Sequence, residues 1–382
     1  MRLVHTSDWH LGHTLRGEVA RDGEHRAFLD WLLARLDGAD VLVITGDVFD
    51  SATPPASAER MWFEFLAVAS PIVDIVVIAG NHDSPARLGA ASSVLRELGV
   101  HVVGSMSDDV IVPVTGAVVA AVPFLRPVDL PDAPDPLAAV YADVIERARA
   151  QRGADQALIV TGHLYVAGAD TQFLSERRVA VGGQEAAPLR LFPDDISYVA
   201  LGHIHRAQRV GRETIRYAGA PLPLSLDEAG YKNSIAIVDF DGARVVKIET
   251  IPVPRTVEIV RVAGALDEVL AAIARFPALG AGERPYLEVV VSLGKPEPKL
   301  RARIEQALDG KHPRLVRLGV EGTGDGAALG DAIAQRRLAE LDPREVFARL
   351  WARDHAEPAA PPVLAAFDRL LAEVQGDRED VS

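Results

Sequence analysis

The sequence predicts an α/β protein with a mainly parallel sheet, followed by a smaller α+β unit and C-terminal helices. Three observations carry this. A short apolar run, a polar loop and an amphipathic helical stretch succeed one another three times within roughly the first 100 residues. The runs are β-branched, too short for helices and bounded by turn residues, as in strands buried on both faces. Beyond Pro252–Pro254 the pattern becomes strand, helix, strand, helix, strand, and a Gly-rich stretch then precedes two helical patterns.

Taken in order, Arg2–His5 reads as a strand that opens into Thr6-Ser7-Asp8-Trp9-His10. Phe28, Leu29, Leu32, Leu33 and Leu36 recur at helical spacing, and Gly38 ends that helix. Val41–Ile44 is the second strand, Thr45–Pro55 a loop and Ala56–Ala69 a helix. Ile72–Ile78 is the third strand; it runs into Ala79-Gly80-Asn81-His82-Asp83, and a helix follows at Ala86–Leu98. Val110–Val114 and Ala117–Phe124 are strands, and Leu137–Arg149 is a helix behind a Pro/Asp-rich loop. Ala157–Thr161 ends at Gly162-His163, and Tyr198–Leu201 ends at Gly202-His203-Ile204-His205. Ala207–Val210, Thr214–Tyr217, Ser234–Phe240 and Val245–Ile251 complete a first domain, residues 1–254.

Val257–Val262, Leu266–Phe276, Tyr286–Val291, Pro298–Leu308 and Leu315–Val320 form the small unit, residues 255–320. Residues 321–342 form a linker, opening with the Gly-rich Glu321–Gly330. Val346, Phe347, Leu350 and Trp351 mark one terminal helix, and Val363, Leu364, Phe367, Leu370, Leu371 and Val374 the other, within residues 343–375.

Composition narrows the function classes. The chain has 382 residues, 48% apolar and 25% charged, which excludes disorder as a whole-chain description. No apolar run has the ~18–20 residues of a membrane span, and the N-terminus lacks a signal-peptide layout. With no cysteine, a disulfide scaffold and thiolate metal sites are excluded, and the expected location is the cytoplasm. The net charge of −14 stands against a broad basic footprint for nucleic acid, but it is uneven. Residues 1–200 hold 15 basic and 27 acidic side chains, residues 201–350 hold 22 and 20, and residues 351–382 hold 3 and 7.

The polar residues gather at strand ends, where open α/β sheets bind ligands. They are Asp8 and His10, Asp47 after Gly46, Asn81-His82-Asp83 after Gly80, His163 after Gly162, and His203 and His205 after Gly202. Glycine before a ligand lets the backbone turn tightly there. In extended chain, the i, i+2 spacing of Asp8/His10 and of His203/His205 puts each pair on one side. Asp, Asn and His ligate borderline divalent metals. Seven ligands (Asp8, His10, Asp47, Asn81, His163, His203, His205) exceed one tetrahedral ion and suit two ions with a bridge, the usual device for phosphate esters. Each pair taken alone also reads as an ordinary turn; five in succession, each at a strand end, do not.

These strings resemble the calcineurin-like metallophosphoesterase superfamily. His5-Thr6-Ser7-Asp8-Trp9-His10-Leu11-Gly12, Gly46-Asp47-Val48-Phe49-Asp50, Tyr198–His205 and Tyr217–Ser225 resemble its branch of bacterial nuclease subunits. The resemblance is strong over about residues 1–255 and one of layout beyond. It implies a metallophosphoesterase β-sandwich flanked by helices, a small capping domain and C-terminal docking helices. It implies a Mn²⁺-dependent 3′–5′ DNA exonuclease and single-strand endonuclease, nucleoid-associated, acting in DNA repair and recombination. One ion would be held by Asp8, His10, Asp47 and His205, and the other by Asp47, Asn81, His163 and His203. His82 would be catalytic. The implied partners are DNA, a second copy of the chain and an SMC-type ATPase, with no membrane. Asp50 stands where archaeal and eukaryotic relatives carry histidine, and Ala207 and Ala220 replace a common Pro and Ser.

Asp83 and Asp50 are expected behind the ligands as supporting carboxylates; Asp50 equally fits a residue near a helix N-terminus. Arg206, Arg209, Arg212 and Arg216 follow the last ligands, and Arg206 and Arg209 are candidate phosphate contacts; a solvated hairpin is the competing reading. His5 reads as a core residue, His13 as a solvent-facing loop residue, and His25, His101, His312 and His355 as surface residues. Two other functions stay open from the residues: a phosphoesterase for small nucleotides or phosphoproteins, and a DNA-end-binding scaffold with a dead site.

Overall fold

The computed structural model describes residues 1–170, 186–295 and 297–322, together with 347, 351, 363, 364 and 367. Its strands, in chain order, are β1 (Arg2–Thr6), β2 (Thr14–Leu15), β3 (Val19–Ala20), β4 (Val41–Thr45), β5 (Asp74–Ile78), β6 (Val100–Val103), β7 (Ile111–Val114), β8 (Ala117–Ala120), β9 (Ala157–His163), β10 (Tyr198–Gly202), β11 (Gln208–Val210), β12 (Arg212–Tyr217), β13 (Ser234–Asp241), β14 (Arg244–Pro252), β15 (Ile259–Ala265), β16 (Tyr286–Leu293) and β17 (Arg314–Gly322). The helices are α1 (Asp22–Leu33), α2 (Ala56–Ala69), α3 (Pro85–Leu88), α4 (Ser92–Arg96), α5 (Pro136–Gln151), α6 (Leu266–Ala274) and α7 (Leu300–Leu308).

The strands of the first domain form two six-stranded sheets where the strand pattern by itself suggests one central sheet. One sheet runs β14-β13-β1-β4-β5-β6 and the other β11-β12-β10-β9-β8-β7. Both are mixed: β1, β4, β5 and β6 are parallel, as are β8, β9, β10 and β12, with antiparallel strands outside them. This is the sandwich that the family resemblance implies.

Alternation along the strands explains the layering. Leu3, Val41, Val43, Val76 and Ile78 meet the second sheet, including Val118, Ile159 and Val199. Val4, Leu42, Ile44, Ile75 and Val77 face the other way, onto Phe28, Leu29 and Leu32 of α1 and Trp62 and Phe65 of α2. A strand buried on both faces has no polar positions left, hence its unbroken β-branched run. Tyr141, Val144, Ile145 and Ala148 of α5 cover the second sheet.

Some elements differ from the sequence expectation. The helix expected over Ala86–Leu98 is two short ones, α3 and α4, interrupted near Gly89, and β6 pairs beyond β5 where no strand is expected. His25 is buried rather than on the surface. It shares the inward stripe of α1 with Phe28, Leu29 and Leu32, and its Nε2 donates to the Trp9 carbonyl at 3.0 Å. His101 and His312 are partly buried, and His355 lies outside the described residues. His5 is a core residue as expected, between the Tyr198 hydroxyl at 3.0 Å and Thr45 Oγ1 at 3.1 Å.

Burial lowers both His5 and His25 to about 3. Between the ordinary histidine value near 6.5 and about 3, the unfolded chain therefore binds protons that the folded chain refuses. Stability from these groups is whole above pH 6.5 and falls as pH drops through that window. At pH 5 the loss is about 2 kcal/mol per histidine. Urea denaturation in chelator at pH 7.5 and pH 5 checks this. His25→Gln should flatten the dependence, and an unchanged pH slope would refute the assignment.

By contact the chain divides into two compact units. One comprises the described residues of Met1–Val262, Ala274–Val289 and Leu308–Arg317, and the other those of Ala263–Ile273, Val290–Ala307 and Leu318–Ser382. Strands β15, β16 and β17 form a three-stranded sheet in the order β15-β16-β17. Phe347, Trp351, Val363, Leu364 and Phe367 are helical, with the Phe347 and Phe367 rings stacked at 4.3 Å and Phe347 5.8 Å from Trp351. Val346, Leu350, Leu370, Leu371 and Val374 lie outside the described residues, as does the linker beyond Gly322. Among the described residues no helix is long and apolar enough to cross a membrane.

Candidate metal centre

Five parallel strands, three from one sheet and two from the other, end at one rim. β1 leads to Asp8 and His10, β4 to Asp47, β5 to Asn81, β9 ends on His163, and β10 leads to His203 and His205. The loops after β1 and β4 are joined by main-chain bonds: Asp8 N to Gly46 O at 3.0 Å, His10 N to Asp47 O at 3.0 Å and Leu11 N to Val48 O at 2.9 Å.

The backbone at the ligands is not extended, contrary to the alternation argument. Asp8 (φ 53°), His10 (φ 48°), Asp47 (φ 50°) and His203 (φ 93°) all occupy positive φ. Asp and His tolerate this better than most residues. Each such residue costs on the order of 1–3 kcal/mol, and such strain concentrates at functional sites. The side chains of Asp8/His10 converge because the chain coils tightly there, not because it is a strand.

The glycines also have a second use. Gly46 does turn at φ +92°. Gly80 and Gly202 have no such φ; a Cβ at Gly80 would collide with Asp47, and one at Gly202 with Thr45 O and Ser7 Oγ. There the missing side chain makes room for the ligand loops.

All seven expected ligands come together. Asp8, His10 and His205 converge, as do Asp8, Asp47 and His163, and His10, Asp47 and His82. Asn81 Oδ1 lies 3.0 Å from both His163 Nε2 and His203 Nδ1. Asp47 Oδ2 is 3.2 Å from His163 Nε2 and 3.6 Å from His10 Nε2, central to both sides of the cluster. Asp8 also accepts the His203 amide at 3.0 Å. Asp8, His10, Asp47 and His163 are buried, while Asn81 and His82 are exposed.

Burial pushes Asp47 up, yet the neighbouring His163, His10 and His82 hold its carboxyl well below the usual range. Burial likewise opposes charge on His163, but Asp47 and Asp8 raise it to about 9. Burial and the His163 charge lower His203 to about 3. Burial lowers His10 despite Asp50 and Asp47.

Asp50 stands behind His10, an expected ligand: its Oδ1 accepts His10 Nδ1 at 3.2 Å and His13 Nδ1 at 2.8 Å. Burial disfavours its charge, but these two donors hold it below the ordinary carboxylate range. His13 is therefore not in solvent; its other nitrogen donates to the Leu224 carbonyl at 2.9 Å. Asp83 supports the ligands through the backbone, accepting Gly80 N at 2.9 Å, Phe49 N at 2.9 Å and Val48 N at 3.2 Å. It thereby pins the loops after β4 and β5 together. Burial and the Asp47 charge raise it to about 6. His82 donates from its amide to Asp47 Oδ1 at 2.8 Å and from Nδ1 to the Asp50 carbonyl at 2.8 Å.

Glu228 is a carboxylate that no spacing argument reaches. It is 1% exposed, and its Oε1 accepts His205 Nδ1 at 3.1 Å. The arginine cluster is ion-paired: Arg206 to Asp170, Arg209 to Glu213 at 3.1 Å, Arg212 to Asp194 at 2.7 Å and Arg216 to Glu213 at 2.9 Å. Only Glu213 lies in the β11–β12 hairpin itself; Asp170 and Asp194 reach it from other segments.

The donor set fits divalent cations. It is oxygen and imidazole nitrogen without sulfur, as borderline and hard metals prefer. His10 Nε2 is buried, faces the cluster and has no hydrogen-bond partner among the described residues. A buried nitrogen without a partner is costly unless something else takes its lone pair.

Comparison with known proteins agrees. The calcineurin-like phosphoesterase family profile matches residues 1–207, and the profile of the type 5 capsule protein repressor C-terminal domain (SbcD_C) matches residues 255–355. The chain is 36% identical to the SbcD subunit of the nuclease SbcCD from Rhodobacter capsulatus, covering 91% of this chain and 94% of that protein. It is 33% identical to the Escherichia coli K12 protein of the same name, with 94% of each covered. The Bacillus subtilis counterpart is 40% identical over 63% of this chain and 66% of its own length. The strand-end ligands, the double sheet and these likenesses agree that the chain belongs to the calcineurin-like phosphoesterases and, within them, to the SbcD family of nuclease subunits, metal-dependent phosphodiesterases.

Proposed function

We propose that this chain is a DNA nuclease working with two divalent cations, Mn²⁺ above all, as a 3′–5′ exonuclease and a single-strand endonuclease. The observation that carries the reading is the buried His10 Nε2, unpartnered among the described residues, beside an Asp47 carboxylate central to both halves of the expected ligand set. Asp8, His10, Asp47 and His205 would hold one ion; Asp47, Asn81, His163 and His203 the other. Such a pair, when bound, supplies a water acidic enough to attack near neutral pH and offsets charge on the phosphoryl oxygens.

The chain's own residues do the rest. Asp47 would serve both ions, and Asp50 fixes the His10 ring with its Nε2 turned inward. His82 donates Nδ1–H to the Asp50 carbonyl, which fixes the ring; with a proton on Nε2 as well, it would donate to a phosphate oxygen or to the leaving oxygen. Arg206 and Arg209 are secondary candidates for the phosphate backbone, since both are already engaged by acids. The acidic surface of residues 1–200 leaves much of the DNA grip to a partner.

That partner is an SbcC-like SMC-type ATPase, met by residues 343–375 behind the 321–342 linker, with residues 255–320 as a cap on the 1–254 nuclease domain. The assembly is a homodimer of this chain within a heterotetramer, in the cytoplasm at the nucleoid. The relatives' names, as subunits of SbcCD, support this reading.

Digestion of duplex ends and single strands with Mn²⁺, with and without the ATPase and ATP, tests it. His82→Ala should lower the cleavage rate ~10²–10⁴-fold while metal uptake persists. No cleavage of either substrate with both ions bound would overturn the proposal. Activity confined to a small ester after removal of residues 255–382 would favour a small-nucleotide phosphoesterase.

A further inference from the structure

Two buried or half-buried carboxylates outside the ligand set stand behind two ligand imidazoles, and they are connected. Starting from His10, Nδ1 donates to Asp50 Oδ1 at 3.2 Å, and the same oxygen accepts His13 Nδ1 at 2.8 Å. His13 Nε2 donates to the Leu224 carbonyl at 2.9 Å. The amide of that same Leu224 donates to Glu228 Oε2 at 2.7 Å, and Glu228 Oε1 accepts His205 Nδ1 at 3.1 Å. His10 and His205 then converge with Asp8, which closes the path.

The geometry is specific at each step. Both His13 nitrogens face acceptors, so this ring bridges Asp50 and the Leu224 carbonyl. Glu228 uses one oxygen for a main-chain amide and the other for the imidazole, in a tight turn at Leu226–Gly230. On the opposite side, His163 Nδ1 donates to the Thr45 carbonyl at 2.8 Å, and His203 Nδ1 meets Asn81.

We infer that Glu228 and His13 are positioning residues for the cation held at Asp8, His10 and His205, the one of the two whose imidazoles are both backed by carboxylates. This rests on the two-ion reading above. A carboxylate behind a ligating imidazole fixes the tautomer, aims Nε2 and raises the ring's basicity. Loss of such a support typically costs ~10–100-fold in metal affinity.

Calorimetric titration of the full chain with Mn²⁺, with electron paramagnetic resonance of the bound ions, tests the inference. Wild type should take two ions. Glu228→Leu should weaken one site ~10–100-fold and leave the other unchanged. Glu228→Gln, which keeps one acceptor for His205, should fall between the two. The thermal midpoint in chelator separates loss of the site from loss of the fold, and His13→Ala decides the matter if Glu228→Leu does not fold. Wild-type affinities at both sites in the folded variants, or equal weakening of both, would overturn the inference. Wild type taking up fewer than two ions would overturn the two-ion reading and this inference together.

Discussion

Asp47→Asn should abolish measurable nuclease activity, a loss on the order of 10³-fold or more, while the chain still folds. The carboxylate uses both oxygens: Oδ1 accepts the His82 amide at 2.8 Å, and Oδ2 faces His163 Nε2 at 3.2 Å and His10 Nε2 at 3.6 Å. Asparagine offers one acceptor. If its oxygen keeps the His82 amide, its NH₂ points at the two imidazoles and cannot bridge cations. Metal content after desalting should fall from two ions per chain to one or fewer. The thermal response should change in step: a cation at 100 times its Kd stabilises a single site by about 2.7 kcal/mol. Wild type should show that gain on adding Mn²⁺ and lose it in chelator, whereas the variant should show little. Two retained ions with a near-normal rate would remove Asp47 from its central place.

How legible the site is in the sequence depends on the range of the contacts. Ligands carried in turns directly after strands are readable because local sequence shows both the strand and the turn: Gly46-Asp47, Gly80-Asn81 and Gly202-His203 are examples. The helix stripe at Phe28, Leu29 and Leu32 already contains the evidence that His25 is buried, since 25 completes the i, i+3, i+4, i+7 pattern. Glu228 and His13 have no such signal. Their roles depend on the main chain of Leu224, reached only after the fold brings a segment about 200 residues away back to His13. The split into two sheets is equally hidden from spacing, because a strand buried on both faces reads the same in either sheet. Backbone conformation departs from expectation where function demands strain: extended chain is the plain reading at Asp8 and His10, yet both occupy positive φ.

The glycine before His203 gives the largest expected effect on folding, and for a reason of space rather than torsion. Gly202 ends β10 with no left-handed φ, so alanine suits its backbone. Its Cβ, however, would drive into the Thr45 carbonyl and Ser7 Oγ and stand 2.9 Å from His163 Nδ1. The carbonyl belongs to β4, and it already accepts His163 Nδ1 at 2.8 Å and Ser7 Oγ at 3.0 Å. Ser7 has a side chain that rotates away; the carbonyl has none. Overpacking costs ~1–3 kcal/mol or more, and each buried donor left without its acceptor ~1–3 kcal/mol besides. Gly202→Ala should therefore lose about 4 kcal/mol or more, a large part of the ~5–15 kcal/mol that holds a domain folded. Gly38→Ala is the contrast: φ there is +71° but no described residue lies within 4 Å of a Cβ, so its cost is purely conformational, about 1–2 kcal/mol. Urea midpoints of the two variants in chelator should differ widely, with Gly202→Ala far the lower. Equal midpoints would mean that β4 and β10 separate easily at their ends, and the rim that gathers the ligands would then be softer than its contacts imply.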